Sequence, residues 1–517
     1  MPAAHPRRTR QRGRTPPAQP LLPGGGGRSA GSRRRTHPRR TFARRSQCPR
    51  KDRQSRGEAV IAVVFLLLLV AIMIGMSFTG HAPSGELMGE IMLLVGLFML
   101  FFGMGIYVGA ALGVLGLIVG YAFSDRPFWL FIGQTIWNPS SSFVLVAVPL
   151  FLLMGEILLR AGLSDRLYKT LNIWLNRMPG GLLHTNIAAS GVFSAISGSS
   201  VATAATMGSV ALPFFKGKPY DPKMVLGSLA AGGALGNLIP PGITFIIYGL
   251  ITETSVGALY IAAIGPSILV VVLFIAIILM KAKTAAPRDP DGPRYSWGEK
   301  IRSLVDLTPT AVLILIVLGT IYGGLATATE SAALGVVAAI GLAALDGKLS
   351  FKMLNDSAEA TARNTALIGL ILFGAYLLNY VFTALGVPQA LAQLVSQMPL
   401  PPWAIMLLII GFYLALGTFM EGFSMMITTI PVIFPVVTAL GYDPIWFGVI
   451  VVMLVEIALI SPPDGTVLYV LQGMRKDGGP ITDVFSGVLP FMLVYILAVG
   501  VLMVFPSIAT WLPTVMR

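Results

Sequence analysis

The chain has 517 residues, of which 55% are hydrophobic and only 12% charged, with a mean hydropathy of +0.77. Ordinary soluble domains carry about 45–50% apolar and 25% charged residues, so a soluble globular protein is excluded and lipid is the solvent for most of the chain. The formal charge of +14 belongs to one end: of 37 basic and 23 acidic residues, 17 and 2 fall in residues 1 to 58, leaving 20 and 21 for the rest.

Residues 1–58 are rich in Arg, Pro, Gly and Ser and have almost no apolar clusters, so they form a disordered basic tail. Such a tail is a cytoplasmic extension drawn to anionic lipid, or a start placed too far upstream; nucleic acid is not expected as a partner. Residues 59–80 read as an extra N-terminal transmembrane helix rather than a removed signal, because no small-residue cleavage site follows a short apolar core. The only cysteine, Cys48, lies in the tail, and the four histidines (His5, His37, His81 and His184) form no HExxH spacing. Disulfides, cysteine-ligated metals and metal-dependent hydrolysis are therefore not supported, and no cofactor is expected.

From 91 to 177 the sequence reads as a first scaffold segment, with 91–123 folding as two short helices around Gly103–Gly109. An internal repeat follows. Residues 197–222, SGSSVATAATMGSVALPFFKGKPYDP, align without gaps at an offset of 222 with 419–444, FMEGFSMMITTIPVIFPVVTALGYDP. The offset pairs Pro213 with Pro435, Tyr220-Asp221-Pro222 with Tyr442-Asp443-Pro444, and Pro240-Pro241 with Pro462-Pro463. Secondary transporters are commonly two such units folded around a midplane site.

The first transport repeat occupies 178–251. Its apolar limbs 182–196 and 201–215 flank Ser197, Gly198, Ser199 and Ser200, and at 1.5 Å per residue a limb of about fifteen residues reaches only about 22 Å. That is too short to span, so the pair reads as a re-entrant hairpin. The next apolar segment is broken at LGNLIPPG, 235–242, because proline removes amide donors and expels the preceding residue from helical geometry.

Crossings at 258–281, 303–323, 331–346 and 364–385 make up a scaffold and connecting region, 258–385. The second repeat, 398–473, has limbs 402–416 and 424–437 around Gly417, Thr418, Phe419, Met420, Glu421 and Gly422, then a break at ALISPPDG, 458–465. A C-terminal transmembrane helix covers 484–508. Broken backbone at membrane depth is tolerated only where it faces protein or a wet cavity, so the tips and breaks together mark a binding site.

Charge placement orients the scheme, since Lys and Arg collect in short cytoplasmic loops. Arg160, Arg166, Lys169, Arg177, Lys216, Lys218 and Lys223 flank the first hairpin, whereas 386–401 and 438–443, around the second, contain no Lys or Arg. The first hairpin then opens from the cytoplasm and the second from outside. Five crossings lie between the hairpins, the broken segment 224–251 and the four that follow it, and this odd number makes the repeats inverted; the N-terminus is cytoplasmic. The expected fold is an all-α polytopic membrane protein with inverted repeats, two re-entrant hairpins, two broken helices and eleven crossings.

At these residues the chain resembles the large membrane subunit of the tripartite ATP-independent periplasmic (TRAP) transporters, on GSSVATAATMG at 198–208, LGNLIPPG, PLFLLMGE at 149–156, TATESAALG at 327–335 and GTFMEGFSMMITTIPVIFP at 417–435. The resemblance covers about 91–510. It departs from the family pattern at Glu421, where Asp is usual, at Gly242, where Ser is usual, and at Asp464. What it implies is an elevator-type, sodium-coupled symporter in the bacterial inner membrane, partnered by a small four-helix membrane subunit and a periplasmic solute-binding protein that delivers a small organic anion such as a C4-dicarboxylate, another carboxylate or a sulfonate. Coupling answers a physical need: at about 2.3 kcal/mol per charge per 100 mV, a dianion entering a negative interior costs about 4.6 kcal/mol, which at least two sodium ions cancel.

One cation site is expected at each repeat. The first uses Ser197, Gly198, Ser199, Ser200 and Thr203 with the break Gly236, Asn237, Pro240 and Pro241. The second uses Gly417, Thr418 and Glu421 with Ser461, Pro462, Pro463, Asp464 and Thr466. Hydroxyl, amide and carbonyl oxygens suit a hard monovalent cation; the alternative for each is an ordinary interhelical hydrogen bond. Glu330 is either a further site residue or, with Thr327, half of a capping box. Glu156, Glu253 and Glu456 receive no role. A stand-alone anion carrier of the same superfamily, a membrane enzyme and a non-transporting assembly subunit are the other function classes, and no convergent His, Ser or metal constellation favours the enzyme.

Overall fold

A computed structural model describes residues 107–123, 130–285, 295–397 and 399–516, together with position 96. The basic tail, the 59–80 helix and the first of the two helices expected in 91–123 lie outside the described residues. Within them the chain is helical throughout and contains no strand.

Helix α1 (Val108–Phe123) is followed by α2 (Ile132–Ser140), α3 (Ala147–Ala161) and α4 (Leu163–Leu175). A bend of 70° separates α3 from α4 at Gly162, whose φ of +77° is a left-handed conformation that costs glycine nothing. The first repeat comprises α5 (Gly181–Ser197), α6 (Ser200–Phe215), α7 (Pro222–Gly233) and α8 (Ile243–Thr252). Next come α9 (Val256–Ala285), α10 (Trp297–Ser303), a 3-10 turn at Leu304–Leu307, α11 (Thr308–Tyr322), α12 (Ala328–Leu345), α13 (Phe351–Ala384) and α14 (Val387–Gln397). The second repeat comprises α15 (Pro402–Leu416), α16 (Gly422–Ala439), α17 (Pro444–Ile460) and α18 (Thr466–Met474), and α19 (Thr482–Val504) and α20 (Ser507–Val515) complete the chain.

Six described stretches are long and apolar enough to cross a membrane: 256–282, 297–322, 328–345, 351–384, 422–439 and 482–504. A seventh is obtained if the bent pair α3–α4 counts as one. Helix α16, at 18 residues, is longer than the expected limb 424–437 and belongs to this group. Helix α13 begins at Phe351, not 364, and its 34 residues reach about 51 Å, well beyond a bilayer core of about 30 Å. Helices α14 and α20, and the break at Gly162, have no counterpart in the sequence reading.

The repeat is repeated in the cap chemistry. Asp221 and Asp443 each cap a helix whose first residue is proline: the Asp221 Oδ1 accepts from the Lys223 N–H at 3.1 Å, and the Asp443 Oδ1 from the Ile445 and Trp446 N–H groups at 2.7 and 2.9 Å. This is the structural content of the paired Tyr-Asp-Pro triplets. The helices they start, α7 and α17, are the most enclosed of the described elements; from Trp446 to Ile460 every residue of α17 is buried. A helix apolar on all sides belongs inside other helices, and α17 packs against α9, α15, α16, α18 and α19.

Small residues let backbones approach at the other main contacts. A Cβ on Gly227 of α7 would stand 2.0 Å from the Gly487 carbonyl of α19, and one on Gly374 of α13 would stand 2.4 Å from the Gly109 carbonyl of α1. Such contacts replace the hydrophobic driving force that lipid-facing helices lack.

Candidate functional site

The turn between α5 and α6 is built by Gly198, with φ +57°, and Ser199, whose extended backbone and side chain cap α6. Its counterpart at offset 222 is Glu421, which caps α16: its carboxylate accepts from the Phe423 and Ser424 N–H groups at 3.1 and 3.0 Å and from the Ser424 hydroxyl at 3.1 Å. Both tips thus present the N-terminus of a helix, where the dipole and unpaired amides favour an oxygen-rich partner.

The first tip lies directly on the first break. The Gly198 carbonyl accepts the Ile243 N–H at 3.1 Å, and a Cβ at Gly198 would stand 2.4 Å from the Pro241 carbonyl oxygen. A Cβ at Gly236 would stand 2.3 Å from the Ser200 Cα and 2.4 Å from its nitrogen. Ser197 and Thr203 hydroxyls pair at 2.7 Å across the tip. Two unwound carbonyls of the break find hydroxyl donors on neighbouring helices, Tyr495 to Ala234 at 3.3 Å and Tyr260 to Gly242 at 3.4 Å, while the Ser267 hydroxyl, 3.2 Å from the Leu238 carbonyl, makes its shorter bond to Ala263 of its own helix at 2.6 Å. The Pro240-Pro241 and Pro462-Pro463 peptide bonds are both cis.

Ser200 joins the repeats. Its hydroxyl donates to the Glu456 Oε2 at 2.6 Å and accepts from the Asn237 backbone N–H at 3.1 Å and its Nδ2 at 2.9 Å. Glu456 belongs to α17, so one hydroxyl ties the first tip, the first break and the second repeat together. The second tip meets the same turn of α17: a Cβ at Gly417 would stand 2.7 Å from the Ala458 Cβ, and one at Gly422 2.7 Å from the Val455 Cγ1. Residues 455–458 of α17 therefore lie in contact with both tips.

The remaining expected residues are distributed less tightly. Thr418 turns its hydroxyl back to the Ala415 carbonyl at 2.7 Å. Ser461 is buried, Thr466 carries a buried hydroxyl, and Pro463 and Asp464 are exposed. Glu330 is not brought into the cluster. It is exposed and closes a capping box with Thr327, accepting from the Thr327 N–H and hydroxyl at 2.8 Å each while the Thr327 side chain accepts the Glu330 N–H at 3.3 Å. Glu456, which the sequence reading left without a role, is central. The signal was present: Glu456 is the one ionisable residue in an otherwise apolar helix, PIWFGVIVVMLVEIALI.

The donor set suits a hard monovalent cation. Asn237 Oδ1, Glu456 Oε1 and Thr466 Oγ1 are buried and have no hydrogen-bond partner, so acceptor capacity is left over beside both breaks. No group of three or more His, Cys, Asp or Glu side chains able to hold a metal occurs among the described residues. A separate cavity of about 260 Å³ lies where α8 and α16 meet α13 and α14, bounded by Thr252, Asn379, Thr383, Gln389 and Phe434. None of the expected site residues lines it.

Outside the membrane segments, Arg475 organises the turn after α18. Its guanidinium, with the side chain 5% exposed, donates to both Asp477 oxygens at 2.8 and 2.7 Å, to the Pro480 carbonyl at 3.1 Å and to Asp483 at 3.2 Å. These bonds hold the Asp477 carboxyl below its ordinary value of 3.8.

Comparison with known proteins agrees with this architecture. Residues 94–508 match the family model described as the tripartite ATP-independent periplasmic transporter, DctM component. A C4-dicarboxylate TRAP transporter large permease protein of Pseudomonas aeruginosa is 33% identical over 385 residues, covering 74% of this chain and 87% of the relative. A sialic acid TRAP transporter large permease protein of Vibrio cholerae is 30% identical, covering 74% and 89%, and an ectoine TRAP transporter large permease protein of Halomonas elongata is 30% identical, covering 71% and 86%. The crystal structure of the Alcanivorax borkumensis YdaH transporter shares the fold, with a TM-score of 0.54, 18% identity, and coverage of 79% of this chain and 97% of that one. With most of its length matched to one family of multi-pass transport subunits, the chain belongs to the DctM component of the tripartite ATP-independent periplasmic transporters, as a large permease and not an enzyme.

Proposed function

We propose that this permease carries out sodium-coupled uptake of a small organic anion across the bacterial inner membrane, receiving it from a periplasmic binding protein and working beside a small four-helix membrane subunit. The two helix pairs α5–α6 and α15–α16 act as re-entrant hairpins, and together with the broken helices α7–α8 and α17–α18 they move as one body against the scaffold in an elevator step. The observation that carries this reading is the convergence of both tips on one turn of α17, with Ser200, Asn237 and Glu456 bonded across the repeat boundary. Elements bonded in this way are suited to moving together. From the expected residues we assign Ser199, Ser200 and Asn237 to the first ion and Thr418, Glu421, Ser461 and Thr466 to the second.

The relatives differ in the solute named for each, dicarboxylate, sialic acid or ectoine. We assign the solute to the carboxylate-bearing class, with selection made by the binding protein. The test is reconstitution of the permease with its small subunit and binding protein in liposomes under an inward sodium gradient. Uptake that needs sodium, the binding protein and an inside-negative potential is the expected result. Uptake unchanged when choline replaces sodium refutes the coupling, and uptake without the binding protein replaces the tripartite reading with that of a stand-alone carrier.

A further inference from the structure

We propose that Glu456 is the anionic ligand of a monovalent-cation site bridging the two repeats, with its Oε1 and the Asn237 Oδ1 holding the ion. This rests on the reading of a sodium-driven permease and adds to it a charged ligand contributed by the second repeat to the first repeat's site.

One proton sets the pattern of the cluster. The Ser200 hydroxyl has one hydrogen, and it is committed to the Glu456 Oε2 at 2.6 Å. Its lone pairs are then open to donors, and Asn237 supplies two, from its backbone N–H and from Nδ2. That pattern fixes the Asn237 amide with nitrogen on Ser200 and oxygen turned elsewhere. The consequence is that Asn237 Oδ1 and Glu456 Oε1, on residues 1% and 0% exposed, are both acceptors without a donor. Two orphaned acceptors on one hydrogen-bonded cluster are unusual in a folded interior.

Charge points the same way. No Lys or Arg forms an ion pair with Glu456 among the described residues, and a buried carboxylate without a counter-charge is costly. A cation meets all three needs at once, giving the carboxylate its counter-charge and both oxygens a partner. The charge of the site selects a monovalent ion, since a divalent one leaves an excess positive charge in the same low-dielectric surroundings. The all-oxygen donor set selects a hard ion, sodium or lithium. Because one ligand comes from α17 and the other from the first break, the bound ion ties the repeats together at the point where Ser200 already joins them.

The test is binding of radioactive sodium, by equilibrium measurement, to the permease purified with its small membrane subunit. E456Q is expected to bind one sodium ion fewer per chain than the wild type, and to lose the part of the sodium-dependent rise in thermal midpoint that belongs to that site. N237S, which removes the amide oxygen, is expected to lose the same ion. Unchanged sodium stoichiometry in E456Q overturns the proposal while leaving sodium coupling standing; it is the result expected of a neutral glutamic acid donating from Oε1 to Asn237 Oδ1. No sodium binding by the wild type overturns the coupling reading and this site together. If neither variant folds, a wild-type crystal grown with thallous ion decides: an anomalous peak within ligand distance of Glu456 Oε1 supports the site, and peaks only elsewhere refute it.

Discussion

Gly236→Ala adds one methyl group where the first tip leaves no room for it. The added carbon would stand 2.3 Å from the Ser200 Cα, 2.4 Å from its nitrogen and 2.6 Å from the Ser199 carbonyl carbon, all backbone atoms that no rotamer change can withdraw. Restoring ordinary contact moves the first tip by about 1 Å, and overpacking of this kind typically costs about 1–3 kcal/mol. The same shift carries Ser200 away from Asn237 and Glu456, whose bonds of 2.9 and 2.6 Å have no slack for it. If the cost falls on the ion-bound arrangement, sodium affinity drops by about 5- to 150-fold, the equilibrium equivalent of about 1–3 kcal/mol. The assay is the sodium dependence of solute uptake in liposomes, with Gly500→Ala as control because a Cβ there meets nothing within 4 Å. A Gly236→Ala permease with the sodium dependence of Gly500→Ala refutes the claim that the tip and the break form one site.

Three further outcomes follow from other parts of the structure. Glu421→Ala removes the cap of α16, worth about 1–2 kcal/mol, and should weaken half-maximal sodium activation about tenfold or more, whereas Glu421→Asp, which can still cap, should retain uptake; equal behaviour of the two variants in sodium titrations refutes a role for the carboxylate. Thr327→Ala opens the capping box with Glu330 and should lower the thermal midpoint with sodium affinity unchanged; altered sodium binding would return Glu330 to the site. Because Arg475 holds the Asp477 carboxyl below its ordinary 3.8, that contact stabilises the 475–483 turn at all pH values above 3.8 and is lost as pH falls through the lower folded value. Hydrogen exchange of residues 476–480, corrected for its intrinsic pH dependence, should therefore accelerate on acidification in the wild type and be uniformly fast in Asp477→Asn; a wild-type turn indifferent to acid below 3.8 refutes the linkage.

Sequence and tertiary structure divide the account along a physical line. Local chemistry was legible: the limbs of the first pair, expected at 182–196 and 201–215, are α5 and α6, and the Pro-Pro segments interrupt their helices because proline acts on its own backbone and that of the residue before it. The offset of 222 paired the two Tyr-Asp-Pro triplets, and the structure supplies their role, a helix cap at Asp221 and at Asp443 that depends on residues two or three positions away. The bend at Gly162 was missed because glycine permits a left-handed turn without requiring one. Helix α14 was missed because the absence of basic residues in 386–401 reports on the side of the membrane and says nothing about backbone form.

Glu456 shows where sequence runs out. Its place in an apolar helix marked it as costly, yet five acidic residues, Glu156, Glu253, Glu330, Glu421 and Glu456, invited similar readings, and only packing separates them. Glu330 caps its own helix at an exposed end, a role set by a neighbour three residues away. Glu456 meets Ser200 across 256 positions of chain, a contact that no spacing rule reaches. What this sequence determined by itself is the limbs of the first helix pair, the two Pro-Pro interruptions and the duplication that relates the repeats, because those follow from short-range sterics and the solvent each face prefers. Which oxygen faces which, and hence where an ion can be held, was decided only when the two repeats closed on one turn of α17.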